Sequence, residues 1–193
     1  DTPPMDTSLR HSPGQGTPDY ETVFDFSDTM GVLRAAEKCN GSGDCRKGPQ
    51  AGGTMCPSYM ATREEKHTTR ARANILRQIL TEPADADHPF NSEEIKEVMD
   101  LCLSCKACKS ECPSSVDMTK LKAEFQQHYH EANGVPLRSR MVAHFADSAR
   151  LASFAPRLYN AFFQTPILRR IANPLIGFHS ERSIPRLNRI TLR

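Results

Sequence analysis

The run Cys102-x2-Cys105-x2-Cys108-x3-Cys112-Pro113 constrains the fold of this chain more than any other feature. Three thiols two residues apart on a tight turn can wrap one face of an iron–sulfur cube. In this spacing the fourth cysteine, followed by proline, points away towards a second cluster. Pro113 fixes φ and has no N–H, so it sets the direction in which the chain leaves. A zinc site needs only four ligands and usually takes them as pairs on two knuckles, which a continuous run does not supply. The chain has seven cysteines in 193 residues. An odd number without a secretory signal fits a disulfide framework poorly and points to metal in a reducing compartment, hence to a cytoplasmic location or the cytoplasmic face of a membrane.

If Cys112 serves the other cluster, the set Cys102, Cys105 and Cys108 needs a fourth ligand from elsewhere. Cys56-Pro57 is the second Cys-Pro in the chain and is the expected donor. Cys39, Cys45 and Cys112 then remain for the other cluster, and all seven cysteines are used. Cys39-Asn40-Gly41-Ser42-Gly43-Asp44-Cys45 keeps the two-residue spacing but has Ser42 where a middle cysteine would stand. A cube missing one thiolate readily loses that iron, which predicts a [3Fe–4S] cluster beside the [4Fe–4S] one. The alternative is a second [4Fe–4S] cluster with Ser42 or Asp44 as oxygen ligand, although hard oxygen suits sulfide-bridged iron less well. Ten residues separate Cys45 from Cys56, where three are usual. Gly41, Gly43, Gly52 and Gly53 would let backbone N–H groups approach sulfur, and Arg46, Lys47, Lys106 and Lys109 would offset cluster charge or form an ordinary solvated face.

Around these cysteines the pattern is helical. Residues 1–26, rich in Pro, Thr, Ser and Asp, read as a linker. A short helix is expected from Ser27 or Asp28, delivering Cys39. Another is expected from about Thr68 to Leu80, with Ile75, Leu76, Ile79 and Leu80 as its apolar stripe. Asn91 with Glu94 predicts a capped helix running through Met99 towards Cys102, and Asp117 a cap for one through Leu121, Phe125 and Tyr129. No alternating strand pattern occurs, so the expected class is all-α. It divides into a linker at 1–26, an α-helical ferredoxin domain at 27–134 and an Arg-rich helical extension at 135–193. The basic run Arg63, Lys66, His67, Arg70 and Arg72 reads as a solvated face, and His128 and His130 as surface positions.

These blocks resemble a known family. Cys39-Asn40-Gly41-x-Gly43-x-Cys45-Arg46-Lys47, then Gly53-Thr54-Met55-Cys56-Pro57-Ser58-Tyr59-x-Ala61-Thr62-Arg63-Glu64-Glu65-Lys66-His67, Arg70-x-Arg72-Ala73-Asn74 and Leu101-Cys102-Leu103-Ser104-Cys105-Lys106-x-Cys108-Lys109-x-Glu111-Cys112-Pro113 carry the likeness. Together they are similar to the iron–sulfur segment of FAD-linked oxidase/iron–sulfur oxidoreductase fusions of the D-lactate and D-2-hydroxyacid dehydrogenase type. The ligand logic also resembles the C-terminal domain of the succinate dehydrogenase iron–sulfur subunit, with one three-iron and one four-iron cluster. The likeness implies an electron relay from a reduced flavin, formed in oxidation of a 2-hydroxy acid such as D-lactate, to a downstream acceptor. It implies partners too: an FAD-binding dehydrogenase domain and a second cysteine-rich domain. The FAD would sit in that adjacent domain or partner, and no residue here need act as catalytic acid or base.

Two other readings stand beside the relay. One is a standalone iron–sulfur subunit of a quinone-linked respiratory complex; the other is a structural metal-binding interaction module. The N-terminus Asp1-Thr2-Pro3-Pro4 lacks an initiator Met and reads as the middle of a longer polypeptide. The net charge is +2, yet residues 135–193 hold ten Arg, no Lys and only Asp147 and Glu181 as acids. No nucleic-acid recognition motif accompanies that charge. Docking on an adjacent domain, or a peripheral contact with an anionic membrane, are the readings it supports.

Overall fold

The computed structural model describes residues 4, 7, 9 and 11–188, and the chain divides into two units, residues 1–133 and 134–193. Among its described residues the first holds six α-helices: α1 (Val32–Glu37), α2 (Pro57–Thr62), α3 (Thr69–Thr81), α4 (Glu93–Asp100), α5 (Ala107–Glu111) and α6 (Met118–Asn133). The second holds α7 (Leu137–Ala143), α8 (Phe145–Ala152), α9 (Pro156–Gln164) and α10 (Pro166–Leu175). Among the described residues there is no strand, so the fold is all-α.

In the first unit α3 packs on α1, α4 and α6. The buried side chains recur at helical spacing: Ala73, Leu76 and Leu80 on α3, Ile95, Val98 and Met99 on α4, Met118, Leu121 and Phe125 on α6. Spacings of three and four keep one stripe turned to the core. Ile75 and Ile79, expected beside Leu76 and Leu80, pack only at its edge. Helix starts follow local chemistry. The Thr68 side chain accepts from Ala71 N–H at 3.0 Å, and Asp117 from Lys120 N–H at 3.1 Å. For α4 the cap is Ser92, accepting from Ile95 N–H at 3.3 Å, rather than Asn91. The helix expected from Ser27 to Cys39 is interrupted. Met30 (φ 57°) and Gly31 (φ 115°) are left-handed, so a single 3-10 turn at Ser27–Thr29 precedes α1.

Residues 20–26 are held against this core. Tyr20 donates to the Leu80 carbonyl, and Phe26 is buried. The Val23 and Phe24 N–H groups donate to the Glu124 carboxylate at 2.8 and 2.9 Å. Glu124 is fully buried, and His128 Nε2 bonds to it at 2.8 Å. Three partners therefore offset the cost of burying that charge. His128, expected at the surface, is half-buried and stacks on Phe90 with ring centroids 4.5 Å apart.

The second unit is built differently. Pro156 and Pro166 each occupy the first turn of a helix, where a missing N–H costs nothing. Pro174 lies in the last turn of α10. Among the described residues of this unit only Asn173 is buried. Its amide donates to the carbonyls of His179 and Arg182 at 3.0 and 2.8 Å. Asn160 pairs with both the N–H and the C=O of Leu187, and Gln164 donates to the Ile184 carbonyl. Polar side chains, not an apolar core, fasten the segment that follows α10. Leu151, Phe154, Leu158, Ile167 and Leu175 are each more than two-thirds exposed. Among the described residues no helix is long and apolar enough to cross a membrane.

Candidate metal centre

None of the seven cysteines is in a disulfide. Cys39, Cys45, Cys56 and Cys108 are buried, Cys102 and Cys112 half-buried, and Cys105 exposed. The loop carrying Cys102 and Cys105 turns through two left-handed residues, Ser104 (φ 52°) and Lys106 (φ 64°). Non-glycine residues adopt that region only where surroundings impose it. Cys56 is left-handed as well (φ 56°, ψ 63°), and its turn starts α2 at Pro57.

These turns bring Cys56, Cys102, Cys105 and Cys108 around one cavity, although Cys56 is remote in sequence from the other three. The cavity is small and partly open to solvent. Thr69, Met118 and Thr119 are among the other residues of its wall, and the buried Thr119 Oγ1 has no hydrogen-bond partner among the described residues. A buried hydroxyl without a partner is uncommon and calls for an acceptor in the cavity it lines. Four soft thiols and an orphaned donor around one void fit an iron–sulfur group. Among the described residues no three His, Cys, Asp or Glu converge closely enough to hold a single metal ion.

Two helix starts aim backbone N–H groups at these sulfurs. Thr69 N–H, at the start of α3, donates to Cys56 Sγ at 3.1 Å. The backbone of Met118 and Thr119, at the start of α6, reaches Cys108 and works against the burial that pushes its thiol pKa up. The next residue of α3, Arg70, reaches Cys45 through its backbone. Cys45 and Cys56 also lie within hydrogen-bond reach of each other. That bond brings the Cys45 pKa down to about 6 and pushes the Cys56 thiol up. The start of α3 thus touches one cysteine from each predicted set. Cys39, Cys45 and Cys112 do not line the four-cysteine cavity. Ser42 is exposed, its N–H held by Asn40 Oδ1 at 3.0 Å.

Other residues tie the two cysteine segments together. The Glu111 carboxylate, next to Cys112, accepts from Thr54 N–H, Met55 N–H and Thr54 Oγ1 at 2.9–3.1 Å. Those bonds hold its pKa below the usual carboxylate range. Gly53 sits here with a left-handed backbone (φ 83°) that disfavours a side chain, and a Cβ would also meet Glu111 Oε2 at 2.5 Å. The last carbonyls of α4, just before Cys102, are capped by side chains from other helices. Arg72 Nε donates to Val98 O at 2.7 Å, and Lys122 Nζ to Met99 O and Cys102 O, both at 2.7 Å. A cation at a helix C-terminus also suits the helix dipole.

The basic run read as a solvated face splits in two. Lys66 and Arg63 are exposed, but Arg72 is 2% exposed and His67 is buried. Arg46 and Arg70 both pair with Glu65, at 3.0 and 2.7 Å. Thr69, Thr119 and Lys122 were not singled out by the cysteine pattern. Lys122 has one signal, its position four residues after Met118 on the buried face of α6.

Residues 38–117 match the family profile of the 4Fe–4S dicluster domain. The D-2-hydroxyglutarate dehydrogenase of Escherichia coli (strain K12) is 30% identical over 178 residues, which is 75% of this chain and 17% of that protein. The D-2-hydroxyglutarate dehydrogenase of Pseudomonas putida is 26% identical over 184 residues, 80% of this chain and 18% of its own length. A probable glycolate oxidase iron–sulfur subunit of Bacillus subtilis is 27% identical over 88 residues, 45% of this chain and 19% of that subunit. The chain thus spans less than a fifth of the curated relatives it matches. No solved structure matches it.

Proposed function

Given the 4Fe–4S dicluster domain at residues 38–117, we propose that this chain relays electrons from a reduced flavin through two iron–sulfur clusters to a downstream acceptor. Cys56, Cys102, Cys105 and Cys108 hold a [4Fe–4S] cluster. Cys39, Cys45 and Cys112 hold the other, a [3Fe–4S] cluster with an open corner at Ser42. The observation that carries this reading is the cavity lined by four cysteines from two distant segments, with N–H groups directed at the sulfurs of Cys56 and Cys108. Bound there, each cluster supplies one-electron chemistry within roughly −700 to +450 mV, tuned by hydrogen bonds to sulfur and by burial. The chain's part is to hold the two sets adjacent, to keep water from the buried cysteines, and to set the potentials with peptide N–H donors.

The flavin belongs to an FAD-binding dehydrogenase domain, in the same polypeptide or a partner chain, that oxidises a 2-hydroxy acid such as D-lactate or D-2-hydroxyglutarate. A second cysteine-rich domain takes the electrons onward. The Arg-rich second unit, with its exposed Leu and Phe side chains, docks on such a domain or on the cytoplasmic face of a membrane. A second reading, a separate iron–sulfur subunit, is favoured by the Bacillus subtilis relative, whose name describes a subunit.

Iron analysis and EPR of the anaerobically purified full chain test the proposal. The expected result is a three-iron signal in the oxidised protein and a further signal after dithionite. A protein that contains zinc and is silent in both states would overturn it. On the same protein, Ser42→Cys is expected to supply the missing thiolate, remove the oxidised-state signal and add one iron per chain. An unchanged oxidised spectrum would reject the three-iron assignment.

A further inference from the structure

We propose that Thr69 is a positioning residue whose hydroxyl raises the reduction potential of the cluster held by Cys56, an inference that rests on the cluster reading above. Thr69 Oγ1 lies 3.0 Å from Cys56 Sγ, in addition to the backbone N–H of the same residue at 3.1 Å. Both residues are buried, at 3% and 6% exposure, so water does not compete for the sulfur. A thiolate bound to iron carries no proton, which leaves the hydroxyl as the donor. A bond donated to sulfur stabilises the more negative, reduced state and so favours electron uptake.

The neighbouring threonine has a different task. The Thr68 hydroxyl bonds the Glu65 carbonyl at 2.9 Å, accepts from Ala71 N–H at 3.0 Å as the helix cap, and also reaches Cys45. Capping of α3 is therefore complete without Thr69. The Thr69 hydroxyl bonds the Cys56 sulfur and is not needed to start the helix.

Thr69→Val keeps the shape and the N–H but removes the hydroxyl. A redox titration of the full chain, followed by EPR, reads the effect. At the potential that half-reduces the wild-type four-iron cluster, the reduced-to-oxidised ratio is expected to fall about tenfold in Thr69→Val, equivalent to about 59 mV for one electron. Thr69→Ser is expected to restore the wild-type ratio, and the three-iron signal should titrate unchanged in both variants. An unchanged ratio in Thr69→Val at wild-type iron content would overturn the proposal. So would a shift confined to the three-iron signal, which would place Cys56 in the other set. Should Thr69→Val fail to retain iron, Thr69→Ala, which also lacks the hydroxyl and keeps the N–H, is titrated in its place; the same tenfold fall is expected, and an unchanged ratio overturns the proposal. A wild-type chain with no iron at all sinks the cluster reading itself and is told apart from each of these results.

Discussion

Cys56→Ser is expected to abolish the dithionite-induced EPR signal and the iron of the cluster held by Cys102, Cys105 and Cys108, while the oxidised three-iron signal survives. Sequence proximity argues the opposite, because Cys56 is nearer along the chain to Cys39 and Cys45. Geometry decides for the distant set. Cys56 shares a cavity wall with Cys102, Cys105 and Cys108, and its left-handed backbone turns it there as α2 begins. A serine oxygen is too hard a donor to replace the thiolate well, so the loss should be near complete. Cys45 is also within reach of Cys56, which makes the contrary result specific. Loss of the three-iron signal alone would move Cys56 to the other set.

Arg72→Ala is expected to cost about 3–5 kcal/mol, from a cavity at a fully buried site and a carbonyl left without its donor. The Arg72 guanidinium donates to Val98 O, to His67 O at 2.8 Å and to Ser58 Oγ at 3.1 Å. His67 O keeps a bond from Ser58, so Val98 O at the end of α4 is the atom orphaned outright. With a urea slope of about 1–3 kcal/mol per molar, the unfolding midpoint should drop by about 2 M. Arg72→Lys should recover only part, since one ammonium cannot reproduce a planar fork reaching three acceptors. A midpoint unchanged in Arg72→Ala would show that the bonds to Val98 and His67 contribute nothing to stability. Because α4 runs directly into Cys102, the same variant should also lower the iron content of the full chain.

These two residues mark the limit of local information. Arg72 stands in a run of charges that pattern alone places in water. Its burial follows from α4 and α2 converging on it, with acceptors at three points. Glu124 is similar: nothing near it in sequence announces the amides of Val23 and Phe24 that it receives. The interruption of the first helix at Met30 and Gly31 was equally hidden, because Met carries no preference for a left-handed backbone.

By itself the sequence determined what depends on neighbours within a turn or two. The all-α class follows from apolar spacings of three and four, the extent of α3 from its apolar stripe, and the iron–sulfur chemistry from thiols two residues apart. The tertiary structure alone decided which distant groups share a space. It put Cys56 against the Cys102–Cys108 loop, aimed the starts of α3 and α6 at sulfur, and closed the end of α4 with Arg72 and Lys122. The reason is physical. Periodicity and capping are satisfied within a few residues, whereas a buried donor takes whichever acceptor packing brings within about 3 Å.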